Sequence, residues 1–153
     1  MMKRWVWPTF FVWTLIGTVA VAALSERPDA PVQVVAGKGE IAWQPSFEAA
    51  MQTARQQQKP ALIVFESKTC TFCKKMDKTT WRDARVQSQT RGWVPVRVDG
   101  DARTDLLQAY GVSGYPTAVL VNGDGKPFAG REGFVAPDEF VSFLETSRAK
   151  WKS

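Results

Sequence analysis

The stretch Ala61-Leu62-Ile63-Val64-Phe65-Glu66-Ser67-Lys68-Thr69-Cys70-Thr71-Phe72-Cys73 decides how this chain folds. Its first five residues are apolar without a break, as expected of a strand buried on both faces. Four polar residues lead to Cys70 and Cys73, the only cysteines among 153 residues. A strand that delivers Cys-x-x-Cys to the start of a helix is the arrangement that thiol–disulfide exchange needs. One cysteine attacks a partner's disulfide, and the second must then reach the mixed disulfide to resolve it. The first turn of a helix sets residues 70 and 73 on one face. It also aims unpaired N–H groups and the positive end of the helix dipole at Cys70, which favours the reactive thiolate.

Other uses of two cysteines fit less well. A structural bridge here closes a loop of four residues, stabilising by roughly 2 kcal/mol in the chain-entropy model, against ~3 for a 15-residue loop. Structural zinc takes four nitrogen or sulfur ligands, and the chain has two cysteines and no histidine. A copper(I) site of Cys70, Cys73 and Met76 has suitably soft donors, but Met76 is more simply a core residue on the inner face of the helix.

Composition narrows the remaining classes. The chain carries 20 basic and 15 acidic residues, a formal +5. The positive residues are scattered among acids with no long basic run, so nothing points to nucleic acid. Lys3 and Arg4 precede Trp5–Leu24, which hold no charge. Residues 1–24 therefore read as a membrane anchor or as a cleavable signal peptide. About 20 apolar residues span a bilayer, while Ala20-Val21-Ala22 fits the small-x-small cleavage rule. Either reading exports the rest of the chain, to the periplasm or the outer face of the inner membrane, where disulfides persist. Residues 25–40, with Pro28, Pro31, Gly37 and Gly39, read as a linker, and residues 41–150 as one domain.

Within that domain, Ser46 is placed to cap a helix whose apolar stripe is Phe47, Ala50, Met51 and Ala54. Lys59-Pro60 ends it before the strand at 61–65. The Cys-x-x-Cys helix is expected over 71–78, and a short helix containing Val86 begins at Asp83. Residues 93–98 are a second strand, and Thr104–Tyr110 a helix closed by Gly111. Thr117–Val121 is a third strand. Asn122-Gly123-Asp124-Gly125 turns the chain into a fourth at 126–131, and Pro137 opens the last helix, with Phe140, Phe143 and Leu144 inward. Trp81 and Trp93 read as packing. This order implies an α/β fold: a central mixed sheet of about four strands with helices on both faces, a parallel pair and a late antiparallel hairpin.

With these residues in view, the chain resembles the thioredoxin superfamily. The resemblance rests on the strand before Cys70-Thr71-Phe72-Cys73-Lys74, the strand ending in Asp99, Tyr110-Gly111-Val112-Ser113-Gly114-Tyr115-Pro116-Thr117, the turn at Asn122–Lys126, and Gly133. Lys59-Pro60 and the Cys-x-x-Cys-Lys-Lys-Met pattern are most similar to its exported branch, which includes the C-terminal domain of the disulfide reductase DsbD. The resemblance implies a thioredoxin-like fold and the catalytic pair Cys70 (attacking) and Cys73 (resolving). It implies a cis Pro116 facing the disulfide, and a Tyr115 backbone that pairs with a bound substrate strand. Phe72, between the cysteines, is expected to be an exposed docking spot.

The chain departs from the family pattern at one chemically important place. The buried acid six residues before the first cysteine, held to relay protons to the resolving thiol, is Val64 here. Glu66 is expected on the other side of the strand or beyond it, as an exposed strand-end acid and not a full substitute. No histidine is present to act as a base. Lys68, Lys74 and Lys75 surround the motif and favour a thiolate. The resulting expectation is an exported thiol–disulfide oxidoreductase without a bound cofactor. It would reduce, or relay electrons to, protein disulfide substrates, fed by a membrane electron-carrier reductase. A non-catalytic binding or assembly module, or a disulfide oxidase or isomerase, is the alternative.

Overall fold

The structure is a computed structural model and describes residues 39–152. The export or anchor segment expected at residues 1–24 and most of the expected linker lie outside the described residues. Among those described, no helix is long and apolar enough to cross a membrane.

Local chemistry sets most element ends. Helix α1 (Phe47–Gln57) starts where the Ser46 hydroxyl accepts the Ala49 N–H at 3.1 Å, satisfying one of the N–H groups a helix start leaves unpaired. It stops at Gln58, which takes a left-handed conformation just before Lys59-Pro60. Strand β1 (Ala61–Glu66) leads to helix α2 (Thr71–Lys78). A short 3-10 turn at Thr80–Arg82, for which the sequence pattern gives no signal, passes the chain to α3 (Ala84–Thr90). Asp83 caps α3 through the N–H groups of Arg85 and Val86. Strand β2 (Val94–Asp99) begins one residue later than expected, because the Trp93 N–H is spent on the Thr90 carbonyl. Helix α4 (Thr104–Tyr110) closes on Gly111 at φ 64°, a conformation costly for residues with a Cβ. Strands β3 (Thr117–Val121) and β4 (Pro127–Glu132) form the late hairpin, and α5 (Pro137–Lys152) ends the domain.

The sheet order is β2-β1-β3-β4. Strands β1 and β2 are parallel, with Val64 beside Arg97 and Glu66 beside Asp99. Strand β3 runs antiparallel to β1, with Thr117 opposite Phe65, and β4 antiparallel to β3. Because strand side chains alternate, β1 feeds two cores. Ala61, Ile63 and Phe65 pack with Ala50, Met51 and Ala54 of α1 and Leu106 of α4. Leu62 and Val64 pack with Met76 of α2, Trp81, Val86 of α3, and Phe140, Phe143 and Leu144 of α5. Helices thus cover both faces, as expected. Trp81 and Trp93 are core residues. Trp81 meets the Trp43 and Phe140 rings edge-on at 5.3 and 4.9 Å, a geometry that adds to simple burial.

Candidate functional site

The site is built at the carboxyl end of β1. After Glu66 the chain turns through Ser67, Lys68 and Thr69, and the Cys70 N–H bonds to the Ser67 carbonyl at 3.2 Å. Cys70 is the N-cap of α2, with extended φ and ψ, and Cys73 lies in its first turn. The two sulfurs are joined in a disulfide with their Cα atoms 5.3 Å apart. The Cys70 sulfur also accepts the Cys73 N–H at 3.0 Å, so the helix start presents a donor to that atom. Cys73 is 5% exposed and faces the core, whereas Cys70 is half-buried. Phe72 is 56% exposed, and it is the large apolar side chain left in the open among the described residues.

The Tyr115–Pro116 peptide bond is cis. Because Thr117 sits opposite Phe65, Pro116 lies at the same end of the sheet as the Cys70 loop. Pro116 is buried, and its carbonyl accepts the Gly133 N–H at 2.7 Å. The Thr117 hydroxyl bonds to the Gly114 carbonyl at 2.8 Å. The Tyr115 phenol lies against the backbone of Gly100, where a Cβ would collide with its oxygen. Desolvation first, and then the carboxylates of Asp101 and Asp99, push the Tyr115 hydroxyl above its usual pKa. The structure therefore gathers Cys70, Cys73, Phe72 and Pro116 at one end of the sheet, and engages the Tyr115 ring within the domain.

Charge around the motif is less uniformly positive than its lysines suggest. The Lys68 ammonium reaches Asp99 at 3.9 Å, and that of Lys75 lies 4.1 Å over the Phe134 ring. Lys74 is exposed. Beneath α2, Arg97 of β2 bridges Glu66 at 3.3 Å and Asp77 of α2 at 2.7 Å, its guanidinium 4.5 Å over the Trp43 ring. Glu66 corrects the sequence reading. Two residues are one full pleat, so Glu66 shares the face of Val64 that α2 covers, and its side chain is 24% exposed. Burial pushes its carboxyl above the usual range, and the nearby Arg97 offsets part of that effect.

The Thioredoxin-like domain family matches residues 47–148. The chain belongs to that family. Among curated relatives, this thioredoxin-like chain is 28% identical over 104 residues to the thiol:disulfide interchange protein DsbD of Vibrio cholerae, covering 64% of the chain and 17% of that protein. It is 33% identical over 86 residues to the protein disulfide isomerase-like 2-1 of Oryza sativa subsp. japonica, covering 56% of the chain and 24% of the relative. The chain thus spans a quarter or less of these relatives' length. Among solved structures it is similar to the reduced C-terminal domain of Neisseria meningitidis DsbD, with TM-score 0.58, 28% identity, and 65% of this chain and 91% of that one covered.

Three features of the thioredoxin-like site were not legible in the sequence. Gly100 carries no signal of its own, although it is where Tyr115 lands. Arg97 reads as one polar residue in an apolar strand, and nothing local names its two acidic partners. Glu132 on β4 approaches the proline loop, its carboxylate 3.3 Å from the Ser113 hydroxyl. A contact of that kind comes from strand pairing, which no single segment encodes. Met76 is a core residue, 2% exposed.

Proposed function

We propose that this domain is a thiol–disulfide oxidoreductase that reduces, or relays electrons to, disulfides of partner proteins on the exported side of a membrane. The observation that carries the reading is the Cys70–Cys73 disulfide at the N-terminus of α2, with Cys70 half-buried, Cys73 buried and a backbone N–H on the Cys70 sulfur. Once reduced, the same N–H and the helix dipole stabilise a Cys70 thiolate, the attacking form. Its attack on a partner disulfide forms a mixed disulfide and expels the partner's other sulfur. Cys73 then attacks Cys70, the Cys70–partner bond breaks, and the partner leaves with both sulfurs reduced. Exposed Phe72 offers an apolar contact, and the backbone at Tyr115 and Pro116 offers an edge for an extended segment. Export is supported by the uncharged segment Trp5–Leu24 behind Lys3 and Arg4. A membrane electron-carrier reductase is the partner that such a reductase would need.

The likeness to a protein disulfide isomerase-like protein favours a second reading, in which electrons flow the other way and the domain donates or shuffles disulfides. The reduction potential of the Cys70–Cys73 pair decides between them, measured by alkylation of the full chain in detergent across defined thiol buffers. A value of about −220 mV or lower supports the reductase, and one near −120 mV supports the oxidant. In parallel, Cys73→Ser should trap a mixed disulfide and Cys70→Ser should abolish turnover. Full activity in both variants would overturn exchange altogether.

A further inference from the structure

Thiol–disulfide exchange, if it is the activity of this domain as proposed, leaves one proton without an evident acceptor. In the disulfide form Cys73 lies on the core side of α2 and is 5% exposed, and once Cys70 is bound to a partner it is a thiol at that position. It attacks only as a thiolate, so its proton must leave a place that bulk water barely touches. The chain has no histidine, and Val64 supplies no acid at the sheet surface beneath α2.

The charged groups on this side come from each surrounding element. They are Glu66 at the end of β1, Lys68 in the loop after it, Arg97 and Asp99 on β2, and Asp77 on α2 one turn beyond Cys73. The cations Lys68 and Arg97 have no free site for a proton. Asp77, Asp99 and Glu66 each lie beside a cation, and the side chains of Asp77 and Asp99 are 43% and 37% exposed. Glu66 differs from both in burial. It is the least exposed of the three carboxylates at 24%, and it lies on the Val64 face, the layer into which Met76 of α2 packs. The Arg97 guanidinium holds it at 3.3 Å and also holds Asp77, which stands four residues after Cys73 on α2.

We propose that Glu66 is the base for the resolving thiol, set one pleat beyond the position where the family carries its acid. In the step, the Cys73 S–H bond breaks and the Glu66 carboxylate takes the proton. The Cys73 sulfur attacks the Cys70 sulfur, and the S–S bond from Cys70 to the partner breaks. The electron pair of that bond leaves on the partner's sulfur, and Glu66 returns its proton to solvent. Burial makes Glu66 a stronger base than an exposed carboxylate, which narrows the gap to an ordinary thiol.

The experiment uses the reduced full chain in detergent, mixed with an aromatic disulfide that releases a coloured thiol. The first equivalent reports attack by Cys70 and the second reports resolution by Cys73. In stopped flow from acid to mildly alkaline pH, Glu66→Gln is expected to slow the second release by about 100-fold near neutrality. It should leave the first release unchanged, and it should remove one ionisation from the pH profile of the second. Glu66→Asp, which keeps a carboxylate, should recover part of the rate, and Asp77→Asn, which removes a charge that raises the Glu66 carboxyl, should move that ionisation to lower pH without abolishing it. An unchanged second release and profile in folded Glu66→Gln overturns the proposal, as does transfer of the effect to Asp77→Asn. Release of a single equivalent by the wild-type chain would instead defeat the exchange reading beneath it.

Discussion

At Gly100 the backbone carries the Tyr115 phenol directly, and this contact ties the end of β2 to the loop that holds Pro116. The Gly100 N–H also bonds to the Glu66 carbonyl at 2.9 Å, so the same residue joins the ends of β1 and β2. A methyl group here would collide with the Tyr115 oxygen and ring. Gly100→Ala should therefore displace Tyr115 and cost about 1–3 kcal/mol, the range for overpacking. Urea unfolding of the oxidised chain checks the cost. Removing the phenol as well, in Gly100→Ala/Tyr115→Ala, should relieve the clash itself. A single variant as stable as the wild type would show that the tyrosine swings away freely. Phe72 and the cysteines could be singled out in the sequence because their chemistry is rare and closely spaced. Gly100 could not, since its role exists only where a tyrosine fifteen residues later lies upon it.

Among elements, the helices were the most legible. Ser46, Asp83 and Gly111 each act through groups within four residues, so their effect is written locally. Helix α3 also carries a dependence on pH. Asp83 accepts the Arg85 N–H at 2.8 Å, and its carboxyl is held down to about 2 by its hydrogen bonds to the Arg85 side chain and backbone. Because the folded state lowers this pKa, folding favours the ionised form. The stabilisation is fully present above the unfolded pKa, about 4, and fades as the pH falls towards 2. Thermal melts of wild type and Asp83→Ala should differ most above about pH 5 and converge in strong acid. A constant gap across that window would show that the carboxylate's charge contributes nothing. The 3-10 turn at Thr80–Arg82 was less legible. Thr80 is fully buried, and its hydroxyl bonds to the Val135 carbonyl 55 residues away.

At the scale of the whole domain, two cores share one sheet among the described residues, and α2 is held through the second. Phe140 of α5 is fully buried there, and its ring packs against Trp81 at 4.9 Å and Phe143 at 5.9 Å. Phe140→Ala should cost about 3–5 kcal/mol, since the cavity it leaves cannot fully collapse. The same layer supports Met76, so resolution by Cys73 should slow in this variant even at temperatures where it stays folded. Calorimetry gives the first effect and the stopped-flow release of the second thiol equivalent the second. A melting point within a few degrees of wild type would contradict this packing.

The sequence by itself determined that β1 is buried on both faces, where the capped helices begin, that Cys70 and Cys73 share the first turn of a helix, and that the late strands form a hairpin. These are matters of periodicity, capping and turn chemistry, all decided within a few residues. Only the tertiary structure decided that β3 inserts beside β1 in the antiparallel sense, bringing Pro116 to the cysteine end of the sheet. It alone joined Glu66, Arg97 and Asp77 from three separate elements and laid Tyr115 on Gly100. Such contacts depend on which strands pair and in what register, and the choice belongs to the burial of both cores at once.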